Sequence, residues 1–159
     1  MRSWLICGIN MGKVRYKVLL DTNVLLDVLC VPARPSAGAS QVIFQAVIDG
    51  IIEGVITTQS IMDAAYILSR TGVHFDREAY GQCVLSLMNF LTIDSIHIFD
   101  IRDAIRNPGP DFEDDAQFEH ALSEGCDAVI TSDRAFLSRE TDGGMLIISP
   151  DEFVGRMRS

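Results

Sequence analysis

Carboxylates stand at four well-separated places in this chain where a carboxylate has more than one use. Asp21 directly follows the apolar run Tyr16-Lys17-Val18-Leu19-Leu20. Asp63 lies early in a helix that follows a second run, Val55-Ile56-Thr57. Glu113, Asp114 and Asp115 open another helix just behind the loop Asn107-Pro108-Gly109-Pro110, and Asp133 comes two residues after Asp127–Thr131. Like charges brought together repel and raise one another's pKa unless a cation lies between them. Oxygen donors of this kind suit hard divalent ions such as Mg²⁺ and Mn²⁺, which keep several of their waters. A cation so held can deprotonate water and stabilise charge on a phosphodiester undergoing attack, the logic of metal-dependent nucleases. No Cys, Lys or His nucleophile fits as well: His74, His97 and His120 are scattered.

Each acid also has a plainer use. Ser60-Ile61-Met62-Asp63 fits a capping box. Glu113, Asp114 and Asp115 complement a helix N-terminus, and Asp133 suits an N-cap over Ala135 and Phe136. Asp21, directly after a strand and two residues before Asn23, has the least to cap.

The elements that must position these acids alternate. Short apolar strands are expected at residues 16–20, 55–57, 95–99, 127–131 and 145–148. Helices are expected at 23–30, 40–49, 58–70, 76–91, 100–105 and 113–124, with a last one after Pro150. Strands alternating with helices predict a parallel sheet covered on both faces, an α/β/α three-layer sandwich of five strands. In such sheets ligands bind beyond the carboxyl ends of the strands, where all four acidic places fall.

The chain has 159 residues and 17.5 kDa, 48% apolar and 22% charged, which favours one domain. Residues 14–159 read as that domain and residues 1–13 as an N-terminal extension, with disorder one reading of it. The net charge of −9 and pI near 4.6 argue against a protein that coats nucleic acid by bulk charge. The cysteines Cys7, Cys30, Cys83 and Cys126 form no C-x-x-C pair and read as small side chains in a reducing compartment. No apolar run approaches a membrane span, and the first ten residues are weak as a secretory signal. A cytoplasmic protein without membrane contact is expected.

The blocks carrying these acids resemble PIN domains. Asp21-Thr22-Asn23-Val24-Leu25-Leu26-Asp27 is similar to the family's opening motif, and Asp63-Ala64-Ala65-Tyr66 to its second acidic position. Asp111-Phe112-Glu113-Asp114, then Gly125 through Asp133, and Ile147-Ile148-Ser149-Pro150-Asp151-Glu152-Phe153 resemble its second half, so that the match runs from about 16 to 154. The resemblance implies a metal-dependent ribonuclease on a five-stranded parallel sheet, and many bacterial members are toxins paired with an antitoxin. Carried over position by position, the acids are Asp21, Asp63, Asp114 and Asp133, with Asn23 and Ser132 as polar neighbours. The second acid is often Glu in the family and is Asp63 here. The third block reads Glu-Asp-Asp, which makes Asp115 a rival for Asp114; Asp114 is preferred because it stands eleven residues before Gly125.

On this reading Asp21 and Asp114 hold the Mg²⁺ or Mn²⁺, and Asp63 and Asp133 hold its waters or a second ion. Water attacks phosphorus in line and leaves a 5′-phosphate, while Asn23 and Ser132 bond Asp21 or the substrate. Only Lys13 and Lys17 supply lysine, so RNA contacts fall to Arg34, Arg70, Arg106, Arg134 and Arg139. The partners expected are RNA, an antitoxin protein and a second copy docked through 40–49 or 76–91, with a monomer equally consistent. The alternative is a PIN-fold RNA-binding or scaffold protein weak in catalysis. A phosphoacceptor or phosphatase would want a late-strand lysine, and none follows Lys17.

Overall fold

The apolar runs of the sequence assemble into one sheet in the computed structural model, which describes residues 16–29, 34–71, 75–141 and 144–159. The N-terminal extension, Cys7, Cys30, Lys13 and His74 lie outside the described residues. The strands are β1 (Lys17–Leu20), β2 (Glu53–Thr57), β3 (Thr92–Asp94), β4 (Ala128–Ile130) and β5 (Leu146–Ile148), all parallel, in the order β3-β2-β1-β4-β5. The helices are α1 (Thr22–Leu29), α2 (Ala37–Ile48), α3 (Thr58–Arg70), α4 (Arg77–Leu87), α5 (Ile98–Arg106), α6 (Phe112–Ser123), α7 (Arg134–Leu137) and α8 (Pro150–Met157).

Alternation along the central strands divides the core into two layers, because successive side chains point to opposite faces. Val18, Leu20, Ile56 and Ile130 pack with Val24 and Leu25 of α1, Ile43 and Val47 of α2, Ala64 of α3 and Phe153 of α8. Leu19, Val55 and Val129 face the other way, onto Phe118 and Ala121 of α6 and Phe136 of α7. The expected α/β/α sandwich with five parallel strands is what forms. Gly54 lies inside β2. A Cβ there would stand 2.6 Å from Leu91 Cδ2 and 2.9 Å from Val47 Cγ2, so the bare backbone is what lets α2 approach the sheet. Gly125, with φ +67°, ends α6 in the left-handed conformation that favours glycine.

Three expectations are corrected. The third strand is residues 92–94, not 95–99. Ser95–Phe99 does alternate polar and apolar, but the Asp100 carboxylate accepts from His97 N–H at 2.8 Å and makes His97 the N-cap of α5. The capping pair of α3 is also different: Thr57 Oγ1 accepts from Ser60 N–H at 3.0 Å, which places Ser60 inside the helix and frees Asp63 from any capping duty. As for docking surfaces, α2 is spent on the core, with Ile43, Phe44, Ala46 and Val47 buried, whereas α4 buries no residue completely.

His120 is structural. It is fully buried, its Nδ1 lies 2.9 Å from Asp100 Oδ2, and Ser123 Oγ donates to the other carboxylate oxygen at 2.9 Å. Burial by itself would raise the Asp100 carboxyl, but these bonds and that from His97 outweigh it and hold it below the usual range. That network ties α5 to α6, the helix that carries the third acidic block. Cys126 is a buried free thiol and Cys83 a half-buried one.

Candidate functional site

The strand order reverses between β1 and β4, and the crevice beyond their carboxyl ends is where open α/β sheets bind ligands. Leu20 is level with Ile130, so the residues that follow them, Asp21 and Thr131, come out side by side. Asp21 N–H donates to Ile130 O at 3.1 Å, while its own carbonyl accepts from Val24 at 3.0 Å and starts α1. One residue therefore ends a strand and caps a helix.

Three donors fix its side chain. Thr22 N–H gives to Oδ1 at 2.6 Å, and Asn23 Nδ2 and Thr131 Oγ1 give to Oδ2 at 2.6 and 2.7 Å. Asn23 Oδ1 accepts in turn from Ser132 N–H at 2.9 Å, and Thr131 Oγ1 from Asp133 N–H at 2.9 Å. Burial nonetheless raises the Asp21 carboxyl above its ordinary value. Ser132 thus enters through its backbone; its hydroxyl is buried with no hydrogen-bond partner. Asp133 caps α7, accepting from Ala135 and Phe136 N–H at 2.7 and 3.1 Å, as its position in the sequence suggested.

The facing wall comes from α3 and α6. Asp111 caps α6, accepting from Glu113 and Asp114 N–H at 2.9 and 3.3 Å. Glu113 and Asp114 in the first turn of α6, with Gln117 one turn further on, line a groove of about 1160 Å³ together with Asp21, Asp63 and Asp133. Gln59 Nε2 holds both oxygens of Asp63, at 2.9 and 3.0 Å. All four acids chosen from the sequence thus face one groove. Glu113, which belongs to the third acidic block but is not among the four acids carried over from the family resemblance, joins them against Asp63. Gln117 was missed, although its distance of one turn from Asp114 was readable.

Among the described residues lining the groove, the acids outnumber the one cation, Arg34. Desolvation, then the charges of Asp21, Asp111, Asp133 and Glu113, push Asp114 up to about 7; desolvation and Asp63 do the same to Glu113. Both carboxyls are raised above their values in the unfolded chain, so their favourable contribution is complete at low pH and is lost as pH climbs through 7. Without divalent ions, the melting temperature is therefore expected to fall between pH 6 and pH 8. Mn²⁺ at pH 8 should reverse that fall, and Mn²⁺ added at pH 6, where both carboxyls are still protonated, should release protons, measurable by calorimetry in two buffers of different ionisation enthalpy. A metal-free melting temperature that rises over this interval would contradict the assignment of these shifts.

The donor set suits a hard, partly hydrated ion. It is carboxylate and amide oxygen throughout, and the buried Gln117 Oε1 has no hydrogen-bond partner. Among the described residues no three His, Cys, Asp or Glu side chains already surround a common point, so the arrangement is an open site rather than a closed cage.

Asp115 is placed elsewhere. Only 2% exposed, it accepts from Gly109 N–H at 2.7 Å and pairs with Arg139. Arg139 is 7% exposed, lies 4.4 Å over the Phe118 ring and donates to Asn107 O at 3.0 Å, so it belongs to the interior rather than to an RNA-contacting rim. Arg106 pairs with Asp103 at 3.5 Å, and Arg70 lies 4.8 Å over the exposed Tyr66 ring beside the groove.

A family profile described as PIN domain matches residues 17–135. No curated protein sequence matches the chain. Among solved structures, the Mycobacterium tuberculosis toxin VapC20, described as cleaving the sarcin–ricin loop, superposes with a TM-score of 0.59 at 13% identity, over 75% of this chain and 92% of its own. PAE2754 from Pyrobaculum aerophilum superposes with a TM-score of 0.59 at 18% identity, over 89% of each chain.

Proposed function

Because this chain belongs to the PIN domain family, we propose that it is a divalent-metal-dependent endoribonuclease of the cytoplasm, the toxin of a toxin–antitoxin pair. The observation that carries the reading is the convergence of Asp21, Asp63, Glu113, Asp114 and Asp133 on one groove whose described lining holds a single cation, Arg34. The fold shared with a toxin described as cutting the sarcin–ricin loop supports RNA as the substrate class and an antitoxin as partner. Among the described residues no helix is long and apolar enough to cross a membrane.

Asp21 and Asp114 are the principal ligands in this proposal, with Asp63, Glu113 and Asp133 around them. Mg²⁺ or Mn²⁺, when bound, neutralises these carboxylates and lowers the pKa of water for attack on phosphorus. The residues of the chain do the positioning. Thr22 N–H, Asn23 and Thr131 donate to Asp21 and hold its carboxylate in one orientation at the groove. Ser132 N–H fixes the Asn23 amide, so that β1 and β4 share one hydrogen-bonded edge. Asp133, anchored by its cap over α7, holds its carboxylate at the groove with little freedom to swing away.

The purified chain is expected to cut RNA with Mg²⁺ or Mn²⁺, to stop in EDTA, and to resume when Mn²⁺ is restored, with product ends carrying 5′-phosphate. Cutting that persists unchanged in EDTA would overturn the metal-dependent reading. Mn²⁺ binding without any cutting of structured or unstructured RNA would leave a scaffold.

A further inference from the structure

An RNA strand carries a negative charge at every phosphate, and the groove presents Asp21, Asp63, Asp76, Glu113, Asp114 and Asp133 to it. Among the described residues that line it, the single cation is Arg34. Its side chain is anchored from below. Nη1 donates to Asn23 O at 2.9 Å and lies 3.4 Å from Asp27 Oδ1. Asp27 is 1% exposed, on α1, and its other oxygen accepts from Ser40 Oγ at 2.6 Å.

A buried carboxylate costs stability unless it is paired. Here it has one hydrogen bond, and its second oxygen meets only the guanidinium. Asp27 thus sets where Arg34 sits. Among the described residues nothing accepts from Arg34 Nε or Nη2, and its side chain is about one-third exposed at the groove. Nη1 is bonded to the backbone of Asn23, whose side chain holds Asp21. The guanidinium therefore stands one residue from the carboxylate network, with a planar donor edge to spare. That edge matches phosphate oxygens in pairs. Other arginines lack the combination: Arg139 is buried against Asp115, and Arg102 and Arg106 pair with Asp103 outside the groove.

We propose that Arg34 binds an RNA phosphate in this groove, and that Asp27 is the buried positioning residue that aims it. The proposal rests on the ribonuclease reading for its substrate class, and its test does not require cleavage. Binding of fluorescein-labelled single-stranded RNA is followed by anisotropy across a KCl series, in an Asp114→Asn background. Arg34→Ala is expected to weaken binding roughly tenfold and to reduce the slope of log affinity against log salt by about 0.7, the loss of one phosphate contact. Arg34→Ala leaves Asp27 poorly paired, so the double variant Asp27→Asn/Arg34→Gln, which removes both charges, should show the same reduction with a melting temperature near that of its Asp114→Asn parent.

In the cleaving protein the same change should raise KM more than it lowers kcat. An unchanged salt slope in the folded double variant would overturn the proposal. So would a slope that stays while Mn²⁺ affinity rises, which is the behaviour of a mere counter-charge to the acids. If the slope falls as expected and the unaltered chain cuts no RNA, the phosphate assignment stands and only the nuclease reading fails.

Discussion

Asp114→Asn is expected to lose about 10³-fold in metal-dependent cutting, ~4 kcal/mol of transition-state stabilisation, and at the same time to melt later than the parent. Loss of activity alone would be unremarkable for any damaged protein; the opposed signs are what make the result specific. The Asp114 side chain makes no hydrogen bond among the described residues, while Asp21, Asp111, Asp133 and Glu113 all repel its charge. A neutral amide of the same shape removes that repulsion and sacrifices nothing structural. The group is only half-buried, so screening keeps the gain small, about 1–3 °C. The gain is largest at pH 8 without metal, where the native carboxyl is ionised against its neighbours, and should shrink as pH falls through 7, vanishing only near pH 4, where Asp114 is protonated in the folded and the unfolded chain alike.

Asp21→Asn provides the contrast. It should lose activity equally but melt earlier, since three donors converge on that carboxylate and an amide cannot accept from all of them. Calorimetry of the three proteins in EDTA decides the matter. An Asp114→Asn protein that melts several degrees below its parent would mean the carboxylate is a structural group, and its place in the site would have to be given up.

The second large effect falls on the neighbouring residue and has the reverse character. Asp115→Ala should cost about 3–5 kcal/mol of stability, the penalty for leaving one half of a buried ion pair uncompensated, and lower the melting temperature by roughly 10 °C. Mn²⁺ affinity per folded molecule should be unchanged. The Arg139 guanidinium left behind would keep Asn107 O at 3.0 Å, the face of Phe118 and the distant Glu119 carboxylate at 3.9 Å. Gly109 would also lose the acceptor for its N–H, and the turn that delivers the chain to α6 would loosen. That turn has no room for a side chain, since a Cβ on Gly109 would strike both Arg139 and Asp115. Replacing both charged partners, as in Asp115→Ala/Arg139→Met, should recover most of the loss, because a buried pair is costly chiefly when half of it is removed. Denaturant titration and Mn²⁺ isotherms on the single and double variants read both quantities. An Asp115→Ala chain that is as stable as the parent and fails to bind Mn²⁺ would exchange the roles of the two residues.

The two carboxylates are adjacent, equally acidic and equally suited to a helix N-terminus, which is why residue spacing could rank them but not separate their surroundings. Successive residues on a helix point about 100° apart. Asp114 faces the groove and Asp115 the interior because α6 is rotated as it packs against α5 through Asp100, His120 and Ser123. Arg139, which claims Asp115, arrives from 24 residues downstream, and no local pattern announces it. The same distance explains Arg34. As a residue type it was one arginine among five candidates; the anchoring by Asp27 and the place at the groove appear only once α1 and the segment before α2 are folded together.

What the chain's own order of residues determined is whatever depends on a few neighbours. Apolar runs marked β1, β2, β4 and β5, Gly125 the end of α6, and Asp133 the cap of α7, because burial, backbone freedom and capping act within a turn or two. It also put carboxylates at four strand or helix ends, which a parallel sheet necessarily gathers on one edge. Tertiary structure decided the rest: that Ser95–Phe99 leads into a helix despite its alternation, that Asp63 is free of capping, that Glu113 and Gln117 join the groove while Asp115 leaves it. Those outcomes depend on how rigid elements rotate and pack against one another, and such orientations are set by contacts between residues remote along the chain.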